Sequence, residues 1–420
     1  MKTIKTHSAF DCLPKRLTIS FPIWGLYDTE GKDRAYPDLD KFVREHVERG
    51  FNCIRLDDGA GLIHDVEGNR RKPFYFCDSF GGYEKTLRQS GTWGEGGECD
   101  ILIRLIELCK AAKKYGVYLI LSSWYYLHTY WYHGKTDKVC EELFAIPASK
   151  RFSAFARFLH YILLELEERG LDDCIAFVEI FNECNDLPEI WDIMDGKKNG
   201  ILEDEYRAQH EQALEFLQER HPQILFAYDC GHAWAQESMI PNNMQVYNFH
   251  HYFLWDIYDK AFMQKKDLFL HKLQKTDVMK TRDGRIPALD GWYERIYKYN
   301  DLDINRIDEL NCVLENLLEK EYDLYYQKML EGLHNVKRIM SAYENVPIVC
   351  GEGVSYIASK SLLWEENSKR YWKLLEDMVM AYKKEGIWGT VLRTCCGPED
   401  PSWTLCKDKL KELNQLFLED

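Results

Sequence analysis

Phe177-Val178-Glu179-Ile180-Phe181-Asn182-Glu183 is an apolar run that stops on a glutamate. A short stretch of aromatic and β-branched residues reads as a buried strand. A carboxylate where it stops reads as chemistry presented at the carboxyl edge of a parallel sheet, rather than as packing. The pattern returns in Pro347-Ile348-Val349-Cys350-Gly351-Glu352-Gly353. Two such carboxylates, on different strands of one α/β barrel, could face each other across a bound substrate.

Working outward from these two runs, strand-like segments fall at about 17 to 23, 51 to 56, 117 to 122, 174 to 181, 223 to 228, 244 to 250, 346 to 350 and 387 to 392. Helical periodicity lies near 37 to 49, 99 to 115, 151 to 169, 203 to 219, briefly 232 to 239, then 320 to 343, 366 to 385 and 404 to 417. Strict alternation of eight with eight predicts a (β/α)8 TIM barrel, because each crossover helix covers a parallel sheet that is closed on itself. Helix, glycine and strand follow one another at Gly50, Tyr115-Gly116-Val117, Arg169-Gly170-Leu171 and Glu385-Gly386-Ile387. Such tight returns belong to the face of a barrel that only holds the fold.

A bare barrel needs about 250 residues. The chain has 420, and the surplus is expected in strand-to-helix inserts at about 57 to 98, 123 to 150, 184 to 202 and 251 to 319, within one catalytic domain over 1–420. These inserts carry Gly81-Gly82-Tyr83, the aromatic run from Trp124 to His133, and Trp255, Tyr258, Trp292 and Tyr293. Aromatic rings at that face suit the apolar face of a sugar ring, whose hydroxyls seek polar groups. Any one of them could instead hold a loop down by packing, or serve a subunit interface in a homo-oligomer.

Composition removes several classes of function. The net charge of -15 is spread over helices such as Glu203 to Glu219 and Glu315 to Glu331, as on a solvated acidic surface. No basic stripe predicts a nucleic-acid partner. No apolar segment has the length of a signal peptide or a membrane span, so the expectation is a cytoplasmic protein without a membrane partner. Many of the fourteen cysteines, among them Cys53, Cys109, Cys174 and Cys350, sit inside apolar runs and read as free thiols in a reducing compartment. No repeated C-x2-C spacing suggests a structural metal, and no cofactor is expected. His250-His251 looks like half a metal site, but alternation puts the two rings on opposite sides of a strand.

The ordered set of motifs resembles the glycoside hydrolase superfamily (clan A) of (β/α)8 barrels that includes family 5 cellulases and mannanases. Asn182-Glu183 matches that family's strand 4 acid/base element, and Glu352-Gly353 its strand 7 nucleophile. Arg55 in Phe51-Asn52-Cys53-Ile54-Arg55 matches the strand 2 arginine that supports the nucleophile. His250 and Tyr252 match the strand 6 pair, and Trp388 falls where strand 8 supplies a tryptophan platform. The match runs in order over about residues 17 to 392.

There are departures. Cys184 follows the acid/base glutamate where the family usually has proline. The strand 3 histidine is missing from Leu121-Ser122-Ser123-Trp124, so Ser123 or Trp124 would line that part of the pocket, and His128 could swing in from the loop.

The resemblance implies a retaining double displacement. Glu352 attacks the anomeric carbon, Glu183 protonates the departing oxygen and then deprotonates water. Arg55 and Tyr252 would favour the charged form of Glu352, Asn182 would bind a sugar 2-hydroxyl, and His250 would orient Glu183 or a hydroxyl. Glu179 has the strand parity of Glu183 and reads as a hydrogen-bonded interior carboxylate, with a bulge as the competing account. The implied substrate is an oligosaccharide or small β-glycoside, and long inserts that wall off one end favour an exo-acting pocket. The alternatives are a carbohydrate-binding barrel without turnover and a metal-dependent hydrolase.

Overall fold

Eight short runs pair edge to edge in chain order: Leu17–Ser20 (β1), Cys53–Asp57 (β2), Tyr118–Ser122 (β3), Ile175–Glu179 (β4), Phe226–Cys230 (β5), Val246–His251 (β6), Ile348–Gly353 (β7) and Gly389–Val391 (β8). In this computed structural model they form a closed parallel barrel, in which β8 returns to β1 through Gly389 beside Leu17. The described residues are 2–3, 10–22, 26, 36–77, 96–123, 139, 142–143, 145–184, 200–271, 301–355, 362–393, 396–398 and 400–419. The strands are buried on both faces, which is why they read as continuous apolar runs without polar alternation.

The helices follow from apolar stripes and caps. Leu39–Glu48 (α1) starts at Asp38, whose side chain accepts from the Lys41 N–H, and buries Leu39, Phe42 and Val43. Burying those three side chains is worth roughly 6 kcal/mol gross against about 1 for the cap, so packing decides that the helix forms and the cap decides where. Ile101–Tyr115 (α2) ends on Gly116 at φ 68, a left-handed position that glycine takes without a Cβ clash, and β3 starts two residues later. Arg151–Glu167 (α3) and Gly200–Arg220 (α4) follow β3 and β4, Lys369–Lys384 (α7) follows β7, and Lys407–Leu418 (α8) follows β8.

The largest differences from the sequence reading lie after β5 and β6. The crossover from β5 to β6 contains only a 3-10 turn, Glu237–Met239. The stretch expected as insert at 251 to 319 contains a helix, Trp255–Gln264 (α5), and the first third of a second, Ile307–Met340 (α6), which begins well before the predicted 320. The backbone of α6 leaves helical geometry at Glu321, and that break divides the apolar periodicity. The insert after β2 holds an antiparallel hairpin, Phe74–Cys77 with Gly96–Cys99. No disulfide joins the described cysteines, and no described helix is long and apolar enough to cross a membrane.

One irregularity bears directly on function. Along the β6–β7 pairing Cys350 faces Phe249 and Glu352 faces His250, so Gly351 is an extra residue that bulges β7 just before the carboxylate. A Cβ at Gly351 would lie 2.3 Å from Asn248 Nδ2. Gly351→Ala is therefore expected to push Asn248 off its two carboxylate partners and destabilise the fold by about 2 kcal/mol, the penalty of leaving buried polar groups unmet; denaturant midpoints of the two proteins measure it.

Candidate active site

At the carboxyl end of the barrel, one fully buried guanidinium on β2 gathers carboxylates from β4, β5 and β7. Arg55 Nη1 donates to Glu352 Oε1 at 2.7 Å, while Nη2 donates to Glu179 Oε2 at 2.7 Å, Asn182 Oδ1 at 2.7 Å and Asp229 Oδ2 at 2.8 Å. The ring of Phe21 lies beneath it, 4.9 Å from the guanidinium carbon. A planar fork of five N–H donors can satisfy this many acceptors at once, and a lysine ammonium could not.

Glu352 is held on both oxygens, by Arg55 on Oε1 and by the Tyr252 hydroxyl donating to Oε2. Burial pushes its carboxyl above the usual range, with His250, Arg55 and the Tyr252 hydrogen bond pulling the other way. Glu179 is pushed up to about 7 by burial, despite Arg55. It accepts from Arg55 and from Asn248, which makes it the interior carboxylate its parity suggested.

Glu183 is reached differently from what strand parity implies. β4 ends at Glu179, the chain bends over 180–184, and Glu183 sits at φ 50, a left-handed conformation that costs a non-glycine residue free energy. Its backbone N–H donates to Asp229 Oδ1 at 2.7 Å, and its Oε1 lies 2.9 Å from His250 Nδ1. Beyond the other glutamate, Val354 is also left-handed, at φ 67, with its N–H bonded to the His251 carbonyl. Backbone strain thus flanks both carboxylates, where surrounding hydrogen bonds hold it in place.

Glu183, His250 and Glu352 each bring one donor atom within 4.8 Å of the others. That spacing could suit a cation, but both His250 nitrogens already face carboxylates and the Arg55 guanidinium already occupies Glu352. The positive charge a metal would bring is supplied by these two side chains. Burial alone would lower the His250 pKa, yet Asp229 and Glu352 beside it raise it well above the ordinary imidazole value.

A comparison with protein families places residues 22–418 in one of them. The chain belongs to the sugar-binding cellulase-like family. This cellulase-like chain shares its fold with a Parabacteroides distasonis ATCC 8503 protein whose assignment as a glycoside hydrolase is itself provisional: TM-score 0.68, 18% identity, covering 96% of this chain and 94% of that one. It is also similar to a glycoside hydrolase family 5 enzyme from Prevotella bryantii B14, at TM-score 0.51 and 12% identity over 98% and 99% of the two chains. No curated protein matches it.

Of the residues singled out in the sequence, Arg55, Asn182, Glu183, His250, Tyr252 and Glu352 converge in this cellulase-like site. Trp388 does not. Its N–H donates to the Ile348 carbonyl, its carbonyl accepts from Leu17, and its indole donates to the Pro14 carbonyl, so it lies where β7, β8 and β1 begin. Glu352 is four residues further along β7, roughly 13 Å at about 3.3 Å per residue. The tryptophan is 4% exposed against Phe10 and Phe177 and plugs the closed end of the barrel. The resemblance places Trp388 on strand 8 as a platform, but the order of motifs along a chain does not set a residue's height along its strand. Trp124 and His128 lie outside the described residues. Ser123 follows β3 directly and donates to the Asp58 carboxylate at 3.2 Å.

Sequence reasoning missed Asp229 and Asn248. Asp229 is the last residue but one of Phe226-Ala227-Tyr228-Asp229-Cys230, as Glu352 is of its own strand, and that signal was available. It also missed a second buried charged group: Arg393, just beyond β8, pairs with Glu365, Glu366 and Asp400, while Ser355 and Tyr258 donate to Glu365. This group ties the loops after β6, β7 and β8 together. It accounts for Tyr258, which is fully buried, whereas Trp255 stays 43% exposed beside Tyr252.

Proposed function

We propose that the protein is a retaining β-glycoside hydrolase, with one catalytic domain over 1–420, that acts on an oligosaccharide or small β-glycoside from the end of the chain. The observation that carries this reading is the approach of Glu183 and Glu352 to within 4.8 Å at their nearest oxygens, on either side of His250. Retaining enzymes hold their two carboxyl groups about 5–5.5 Å apart, whereas inverting ones leave about 6.5–9.5 Å for a water.

In the first half-reaction a Glu352 oxygen bonds to the anomeric carbon while Glu183 passes a proton to the departing oxygen. In the second, Glu183 takes a proton from water, whose oxygen replaces Glu352. Arg55 and Tyr252 aim and partly neutralise Glu352. The Asn182 carbonyl oxygen is held by Arg55, which turns its amide N–H groups toward a substrate hydroxyl. The exposed Trp255 ring, edge-on to Tyr252 at 6.1 Å, supports sugar stacking next to the nucleophile.

The test is hydrolysis of a panel of aryl β-glycosides, with the first-formed anomer followed by proton NMR. Retention is expected. Glu183→Ala should lower kcat/KM on substrates with poor leaving groups by about 10²–10⁴-fold, the usual worth of a general acid, and spare kcat/KM on dinitrophenyl glycosides, which leave unprotonated. The variant's kcat on these should fall, because the second half-reaction still needs the base. Inversion of configuration, or turnover indifferent to Glu183, overturns the mechanism. Tight saccharide binding without any turnover would instead make the barrel a binding module.

A further inference from the structure

Asp229 is the last residue but one of β5, and nothing in the two-glutamate mechanism gives it work. It is 1% exposed, yet its carboxylate is saturated. Oδ1 accepts the Glu183 backbone N–H at 2.7 Å; Oδ2 accepts from Asn248 Nδ2 at 2.7 Å, Arg55 Nη2 at 2.8 Å and His250 Nε2 at 3.2 Å. Burial would push this carboxyl up, but His250 and Arg55 outweigh it and hold it below the usual carboxylate range. One fixed anion therefore touches Glu183 twice, directly at its strained backbone and through the imidazole at its side chain.

The consequence lies in which ring nitrogen holds which proton. Among the described residues, His250 Nε2 faces only carboxylate oxygens, Asp229 Oδ2 at 3.2 Å and Glu352 Oε1 at 3.5 Å, so it keeps its hydrogen whether the ring is charged or neutral. Nδ1 then varies. As imidazolium it donates to the Glu183 carboxylate 2.9 Å away; as neutral imidazole it accepts from the Glu183 carboxylic acid. His250 and Glu183 share one proton. The other charged or titratable groups around this ring among the described residues are Glu352 on β7, Tyr252 after β6 with its ring at 6.1 Å, and Arg55 on β2 acting through the carboxylates it binds.

Resting on the retaining-glycosidase reading, we propose that Asp229 is the positioning residue for the acid/base step: it fixes the left-handed Glu183 backbone and keeps His250 Nε2 protonated, so that the proton shared by Nδ1 and Glu183 is the one delivered. In the first half-reaction that proton goes to the glycosidic oxygen as its bond to the anomeric carbon breaks and a Glu352 oxygen bonds to that carbon. In the second, the pair recovers a proton from the water whose oxygen displaces Glu352. Removing the charge at Asp229 releases the shared proton at lower pH, because the imidazolium loses the anion on its far side.

The decisive measurement is a ¹⁵N NMR titration of histidine-labelled wild-type protein, without substrate, with the His250 signals assigned by comparison with His250→Gln. Nε2 should stay protonated throughout, with Nδ1 the nitrogen that titrates. A neutral form protonated at Nδ1 overturns the proposal. Asp229→Asn should lower the titration midpoint of His250, move the alkaline limb of kcat/KM to lower pH, and cost about 10²-fold or more on poor leaving groups but far less on dinitrophenyl glycosides. An active variant whose alkaline limb stays put, or one that slows every leaving group alike, gives Asp229 a structural role only and sinks this inference while the glycosidase reading stands. A wild-type enzyme that cleaves no glycoside sinks that reading instead, and the catalytic part of this one with it.

Discussion

Glu352→Ala is expected to lower kcat on aryl β-glycosides by about 10⁴-fold or more, the scale on which loss of a covalent nucleophile is felt. Azide should restore part of the rate and yield the α-glycosyl azide, because a small anion entering the space of the lost carboxylate attacks from the same side and inverts once. Glu183→Ala with azide should give the β-azide, formed by a second inversion on the glycosyl-enzyme. The wild-type pH profile follows from the same carboxyl. Its pKa is raised above 4.5, so Glu352 gains a proton, and nucleophilicity is lost, as pH falls through that raised value. The acid limb of kcat/KM should therefore lie above the range of an unperturbed glutamate. An acid limb at or below that range, or an α-azide from the acid/base variant, contradicts the assignment.

The second large effect is on stability. Arg55→Met removes the only cation bonded to Glu179, Asp229 and Glu352 among the described residues, except for His250, and should cost about 3–5 kcal/mol, as breaking a buried charge network does. Arg55→Lys keeps the charge but cannot reach four acceptors, and should recover only part of the loss. The pH dependence carries the check. Arg55 holds these carboxyls down, so without it their folded-state pKa values rise, and a raised carboxyl pKa means stability that is present at low pH and lost as pH rises. The gap between wild type and variant should be widest above neutral pH and narrow toward pH 4. Denaturant unfolding at several pH values measures it, and a gap that widens in acid would show that the carboxylates are not what Arg55 stabilises.

Both effects converge on a polar core assembled from residues far apart in the chain. Arg55 and Glu352 are separated by 297 positions and Arg55 and Asp229 by 174. Such contacts exist only once the barrel closes, so the face that carries the two glutamates and the stability of the closed sheet are coupled. A buried arginine with three carboxylates is a poor stability device compared with apolar packing. Its value lies in holding two glutamates, a histidine and an asparagine within hydrogen-bond reach of one another.

By itself the sequence determined the alternation of strands and helices, because burial on both faces writes each barrel strand as an apolar run and each crossover helix as a one-sided stripe. It also singled out Glu183 and Glu352, polar residues that end such runs, while Arg55, His250 and Tyr252 were singled out by the family resemblance. Only the tertiary structure decided what depends on register and height. Gly351 bulges β7 so that Glu352 meets His250, and Glu183 leaves its strand and turns left-handed onto Asp229. Asn248 reaches two carboxylates because no Cβ stands at Gly351. Trp388 falls at the closed end, because it precedes Gly389, the first paired residue of β8, where β7, β8 and β1 begin. A period of two says which side of a sheet a residue faces; how far along the barrel it lies is set by pairing with neighbours that are distant in the chain.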